Sequence, residues 1–194
     1  MAPQARLLAF ARKHFDPGAA LRIGRALDLA SSAHQGQTRD DGTPYIMHPI
    51  RVALSLTEEL GFNDADLMCA ALLHDAVEDS ADIRIERIQE EFGSRVRMVV
   101  EQLTKPVAAE RAEVNTVYFL RLRTVAEESK LVKLMDKLDN VRDSPNCPEL
   151  VKRRRTLDEA ESVYLPLAGT LKDPNIRSRI ERLMRTAIDL AERA

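Results

Sequence analysis

The chain has 194 residues, 44% hydrophobic and 31% charged, which suits one folded domain with a buried core rather than a disordered chain. Lys and Arg number 29 against 31 Asp and Glu, and the net charge of −2 excludes the overall basic footprint of a duplex nucleic-acid binder. Aromatic residues make up only 4%, Trp is absent, and the longest apolar run (residues 67–73) is too short for a bilayer, which favours a helical protein without a membrane span.

Taken in order, Asp16-Pro17 forms a cap followed by Pro at a first helical position, and Ala20, Ile23, Leu27 and Ala30 recur at helical spacing to about residue 34. Gly36, Gly42 and Pro44 make residues 35–45 a loop, and Pro49 opens a second helix that ends at Gly61. Asn63 or Asp64 caps a third, largely apolar helix running through Asp79. A short amphipathic helix over 83–92 stops at Gly93, and another covers 94–103. Residues 106–115 read as a mobile loop, followed by helices over 116–127 and 129–142. Pro145 and Pro148 mark a break, after which a long charged helix spans 149–171 and a last one spans 175–193. With no period-2 alternation, no repeat and no linker, the expectation is a single all-α domain over 1–194, built from about eight to ten helices. Cys69 and Cys147 form no CxxC pair and read as reduced thiols, and no secretory signal precedes Arg12, so the expected location is cytoplasmic.

The run His74-Asp75-Ala-Val-Glu78-Asp79 carries the strongest chemical signal. On a continuous helix, at roughly 100° per residue, all four polar side chains share less than half of the circumference. Carboxylates crowded beside an apolar segment repel each other unless a cation neutralises them. His48 at a helix entry and Asp136 among Leu131, Val132, Leu134, Met135 and Leu138 are further candidate ligands. Two His and two Asp suit Mn²⁺ or Fe²⁺ better than Zn²⁺. The plainer reading of the hexapeptide is a solvated acidic helix end. Lys133 and Lys137 flank Asp136 by about one turn, and Lys152-Arg153-Arg154-Arg155 is a basic run. Both can hold phosphates, although solvated helix faces paired with Asp158, Glu159 and Glu161 are the simpler reading of the run.

The order His…His-Asp…Asp resembles the ligand pattern of HD-domain metal phosphohydrolases. Ala33-His34-Gln-Gly36-Gln37-Thr-Arg39, Gly42-Thr-Pro44-Tyr45-Ile-Met-His48-Pro49 and Ala71-Leu-Leu-His74-Asp75-Ala-Val-Glu78-Asp79 narrow the likeness. Phe92-Gly93, Leu103-Thr104-Lys105, Lys133-Leu-Met-Asp136-Lys-Leu-Asp139-Asn140-Val-Arg142 and Tyr164-Leu-Pro166-Leu-Ala168 follow in the same order. From about residue 20 to 170 the chain resembles the Rel/Spo-type alarmone hydrolases of the stringent response, and its length is similar to their small stand-alone members, the metazoan form included. The resemblance implies Mn²⁺-dependent removal of the 3′-pyrophosphate from (p)ppGpp. It implies His48, His74, Asp75 and Asp136 as metal ligands, Glu78 and Asp79 as catalytic acids, Asn140 on the ribose and Arg39 near the base. The implied partner is a small nucleotide alarmone, with no nucleic acid and no membrane, and a homodimer is compatible with the sequence.

Other positions keep two readings each. His34 is a structural hydrogen-bonder or a substrate contact, His14 reads as a surface residue, and Tyr164 stacks on a nucleobase or fills the core. Asp40 departs from the family, whose guanosine-specific members commonly carry Lys there. Facing inward, its acceptors suit the amino group of adenine, and ppApp then joins ppGpp as an expected substrate; facing solvent, it says nothing of the base. Asp139 is a second departure, on the ribose side of the pocket or on its rim. The alternatives in function are an HD-type phosphatase for another nucleotide such as NADPH, which would release orthophosphate, and a non-catalytic alarmone-binding module.

Overall fold

A computed structural model describes residues 2–105 and 111–194, with side chains described outside 111–116. Its described residues are helical throughout apart from turns and one isolated antiparallel bridge between Thr38 and Pro44. The helices run α1 Pro3–His14, α2 Pro17–Ala33, α3 Met47–Glu58, α4 Ala65–Leu73, α5 Ala76–Asp79, α6 Ile85–Phe92, α7 Ser94–Leu103, α8 Arg111–Leu122, α9 Glu127–Asp143, α10 Leu150–Glu159, α11 Leu165–Ala168 and α12 Pro174–Arg193. A 3₁₀ turn (Ser144–Asn146) follows α9, and a π-helical turn (Ala160–Tyr164) joins α10 to α11. The all-α expectation holds.

The core is built around α4 and α9. Every residue of α4 from Leu67 to Leu73 is buried, packed between α2, α3 and α7. Asp64 starts α4 by accepting hydrogen bonds from the amides of Asp66 and Leu67, which confirms that of the two candidate caps it is the one used. Asp16 and Asp173 cap α2 and α12 in the same way, each followed by Pro in the first turn. Along α9, residues from Ser129 to Asp139 are buried between α3, α7 and α12. Helix α12 covers it with Ile180, Met184, Ala187, Ile188 and Ala191, a stripe at helical spacing.

Four expectations need correction. Helix α1 lies in a stretch to which the sequence reading assigned no element; it begins with Pro3 and buries Leu7 and Ala11, one turn apart. Helix α3 starts at Met47 rather than at Pro49, so His48, expected at the helix entry, lies in its first turn. The helix expected through Asp79 breaks at His74-Asp75, where the imidazole Nδ1 of His74 donates to the carbonyl of Ala71 at 2.8 Å. That carbonyl is the one an unbroken helix would offer to the amide of Asp75. The charged helix expected over 149–171 widens into the π turn ahead of Pro166, whose ring and missing N–H oppose a regular turn. The loop expected over 106–115 lies outside the described residues at 106–110, and α8 is already helical from Arg111.

Candidate metal centre and adjoining cleft

Three elements converge on one point. His48 comes from the first turn of α3, His74 and Asp75 from the break between α4 and α5, and Asp136 from the middle of α9. One donor atom each from His48, His74 and Asp136 lie within 4.8 Å of one another, and all three residues are buried. Oδ1 of Asp136 is 3.1 Å from Nε2 of His48 and 3.8 Å from Nε2 of His74. Oδ2 of Asp75 is 3.0 Å from Nε2 of His74 and 3.7 Å from that of His48, and it accepts the Tyr45 hydroxyl at 3.0 Å. The four residues expected from the sequence therefore meet.

The donor chemistry fits a divalent cation. Nδ1 of His48 lies 2.7 Å from a carboxylate oxygen of Asp139, and Nδ1 of His74 faces the Ala71 carbonyl. Both partners are acceptors, so each ring carries its proton on Nδ1 and turns the Nε2 lone pair into the cluster. There both buried Nε2 atoms lack any hydrogen-bond partner. Lone pairs and carboxylates facing each other away from water repel until a positive charge lies between them. The titration of these groups carries the same message. Burial is the strongest influence on His74 and disfavours its charge, yet the Asp75 and Asp136 carboxylates together outweigh it and raise the ring to about 10, so that without a metal a proton supplies the missing positive charge. Burial likewise opposes ionisation of Asp136, but the Lys133 ammonium and the two imidazoles hold its carboxyl well below the usual range.

The carboxylate oxygens of the cluster are held in place. Lys133 puts Nζ 2.7 Å from Oδ2 of Asp136 and lies 5.5 Å from the centre of the Tyr118 ring. Asn140 donates to Oδ1 of Asp136 at 2.6 Å and accepts from Arg39 at 3.0 Å, and Arg39 also grips Asp143 at 2.8 Å. A chain of polar contacts thus runs from the cluster into a cleft of about 310 Å³ lined by Arg39, Asp40, Tyr45, Lys137, Asn140 and Lys152, among others. Lys137 is buried, pairs with Glu159 at 2.9 Å and sits 5.0 Å from the Tyr164 ring centre; burial pushes its ammonium down. The Tyr164 ring is buried against Phe119 and does not line the cleft. Both carboxylate oxygens of Asp40 lie 2.8 Å from Nζ of Lys152, on the exposed rim.

Glu78 and Asp79 lie on α5, beside the cluster. Glu78 accepts the backbone amide of Lys105 at 2.7 Å. Asp79 stands 3.4 Å from Nδ1 of His34, and its carboxyl is pushed up by burial and by the neighbouring Asp75. In the basic run, Arg154 pairs with Asp158 at 2.8 Å as a solvated helix face would, whereas Lys152 reaches the cleft. The sequence reading singled out neither Tyr45 as a partner of Asp75 nor Asp143 as a partner of Arg39. It placed Asp139 on the pocket side or rim, but the side chain is buried behind His48 and bound by Arg51.

A helical bundle that gathers His, His-Asp and Asp from three helices in this order defines an HD-type metal-binding domain. Residues 26–172 match the family described as HD domain, and the chain belongs to that family. Guanosine-3′,5′-bis(diphosphate) 3′-pyrophosphohydrolase MESH1 of Homo sapiens is 41% identical over 157 residues, which cover 78% of this chain and 87% of that one. The guanosine-3′,5′-bis(diphosphate) 3′-pyrophosphohydrolase of Aquifex aeolicus is 40% identical over 171 residues, 85% of this chain but only 24% of that longer relative. The solved structure of a metazoan ortholog of SpoT that hydrolyzes ppGpp superposes with a TM-score of 0.75 at 30% identity, covering 85% of this chain and 94% of that one. No described helix is long and apolar enough to cross a membrane.

Proposed function

We propose that this chain removes the 3′-pyrophosphate from ppGpp and related purine nucleotides, as a single HD-type catalytic domain. The observation that carries the reading is the pair of unpartnered Nε2 atoms facing two carboxylates, next to a cleft lined by Arg39, Lys137 and Asn140. Relatives named for that activity support it at 41% and 40% identity. In this reading His48, His74, Asp75 and Asp136 hold a divalent ion, and Mn²⁺ suits their nitrogen and carboxylate donors. Bound there, the ion supplies an acidified water and positive charge beside the phosphoryl oxygens.

The chain's own groups do the rest. In the same reading Asp79, whose carboxyl is pushed up by burial and by Asp75, and Glu78 beside it accept and pass on the proton of the attacking water. Lys133 and Lys137 bring cations towards the diphosphate; Lys133 also keeps Asp136 ionised. Arg39 and Asn140 take the ribose and base side of the cleft, with Tyr164 supporting Lys137 from beneath. Hydrolysis adds one water across the 3′ phosphoester, leaving the nucleoside 5′-diphosphate and free pyrophosphate. A cytoplasmic location belongs to the same reading.

The Asp40–Lys152 pair supports recognition of either purine. Its carboxylate can accept from the adenine amino group, and its ammonium can donate to O6 of guanine. The test is turnover of ppGpp, ppApp and NADPH with Mn²⁺, followed by product analysis. Pyrophosphate from ppGpp, and none with Asp75→Ala, is expected. Orthophosphate from NADPH with inert ppGpp would replace the reading with a phosphatase. Inertness towards all three, despite tight ppGpp binding, would leave a binding module.

A further inference from the structure

Behind the cluster, helices α3 and α9 set two pairs of side chains against each other. His48 and Arg51 lie one turn apart on α3, and Asp136 and Asp139 lie one turn apart on α9. Asp136 meets Nε2 of His48, and Asp139 meets Nδ1 of the same ring at 2.7 Å. Arg51 then grips Asp139 with both arms of its fork, Nε to Oδ1 at 2.6 Å and Nη2 to Oδ2 at 2.9 Å. Asp139 is 6% exposed, so its charge has left water and depends on those two partners. The second imidazole has no such partner: Nδ1 of His74 rests on a neutral backbone carbonyl. The two rings are thus supported unequally, one by a charged side chain that mutation can remove.

We propose that Asp139, braced by Arg51, is a positioning residue that fixes the tautomer and direction of His48 and thereby sets the affinity of the metal site. A carboxylate on the far nitrogen of a ligating imidazole locks the ring and strengthens its donor atom, and losing such a partner weakens metal binding roughly 10- to 100-fold. Arg51 holds the carboxylate in place with both arms, so its loss acts in the same direction through Asp139. The inference rests on the reading of His48 as a metal ligand.

The test is titration of the metal-free protein with Mn²⁺ by calorimetry, alongside thermal unfolding without metal. Asp139→Ala is expected to bind Mn²⁺ roughly 10- to 100-fold more weakly. Asp139→Asn, which still accepts from Nδ1, and Arg51→Gln are expected to lose less. A purely structural ion pair predicts lower metal-free stability with Mn²⁺ affinity equal to wild type, and that result would overturn the inference. If Asp139→Ala does not fold, Asp139→Asn decides by the same criterion. His48→Ala separates the two failures. Unchanged Mn²⁺ affinity there removes the metal-site reading and the inference together. Lost affinity there, with Asp139→Ala unchanged, removes the inference alone.

Discussion

Lys133 and Asp136 form a buried pair in which one carboxylate oxygen faces the ammonium and the other faces the imidazoles. Breaking such a pair from one side strands a charge in the interior, at about 3–5 kcal/mol. Lys133→Met is therefore expected to lower the melting temperature of the metal-free protein sharply. It also removes a cation that competes with any bound metal, so the rise in melting temperature on adding Mn²⁺ should grow. An unchanged melting temperature, or a smaller Mn²⁺ response, would contradict this placement. The convergence of His48, His74, Asp75 and Asp136 was legible in the sequence because these residues are few, polar and set among apolar neighbours. Asp139 was not legible as a brace. Its spacing from Asp136 gives a shared face of α9, but only the packing of α3 across that face reveals His48 and Arg51 as its partners.

At the scale of elements, the site depends on how α3 and α9 are held together and how α6 turns into α7. Glu59, just after α3, accepts both arms of Arg142 near the end of α9 at 2.7 and 2.8 Å. The Arg142 hydrogen bonds outweigh burial and hold the Glu59 carboxyl below its ordinary value of 4.5. A depressed folded-state value means the unfolded chain takes up protons first. This contribution is full above about pH 4.5 and fades as pH falls through the lower folded value. Glu59→Gln should flatten the acid side of the stability curve in urea titrations; an unaltered slope would remove the contribution. Gly93 has φ 91° and ψ 169°, a conformation reserved for glycine, where it ends α6 and starts α7. Gly93→Ala should cost about 1–3 kcal/mol in urea unfolding. This stop was readable from the sequence, as was the Asp16 cap. The break at His74-Asp75 was not, because no Gly or Pro marks it: a side chain takes the Ala71 carbonyl instead. Helix α1 escaped because Leu7 and Ala11 give only a thin apolar stripe.

The bundle brings His48 and Asp136, 88 positions apart in sequence, into one cluster, and the cleft extends from it through Asn140 and Arg39. The order of the motifs made this assembly legible in the sequence, since His48, His74-Asp75 and Asp136 come from separate elements that pack together. The side chains at the rim of the cleft were less readable, because Asp40 meets Lys152, 112 positions further along the chain. A metal centre acting on a 3′-diphosphate must lose its turnover with its metal. Its most direct test is to strip the protein with a chelator, measure ppGpp turnover, and then restore Mn²⁺. No turnover is expected in the stripped protein, with recovery on adding Mn²⁺ and one pyrophosphate and one GDP released for each ppGpp. Undiminished turnover after stripping, or orthophosphate as the product, would contradict it.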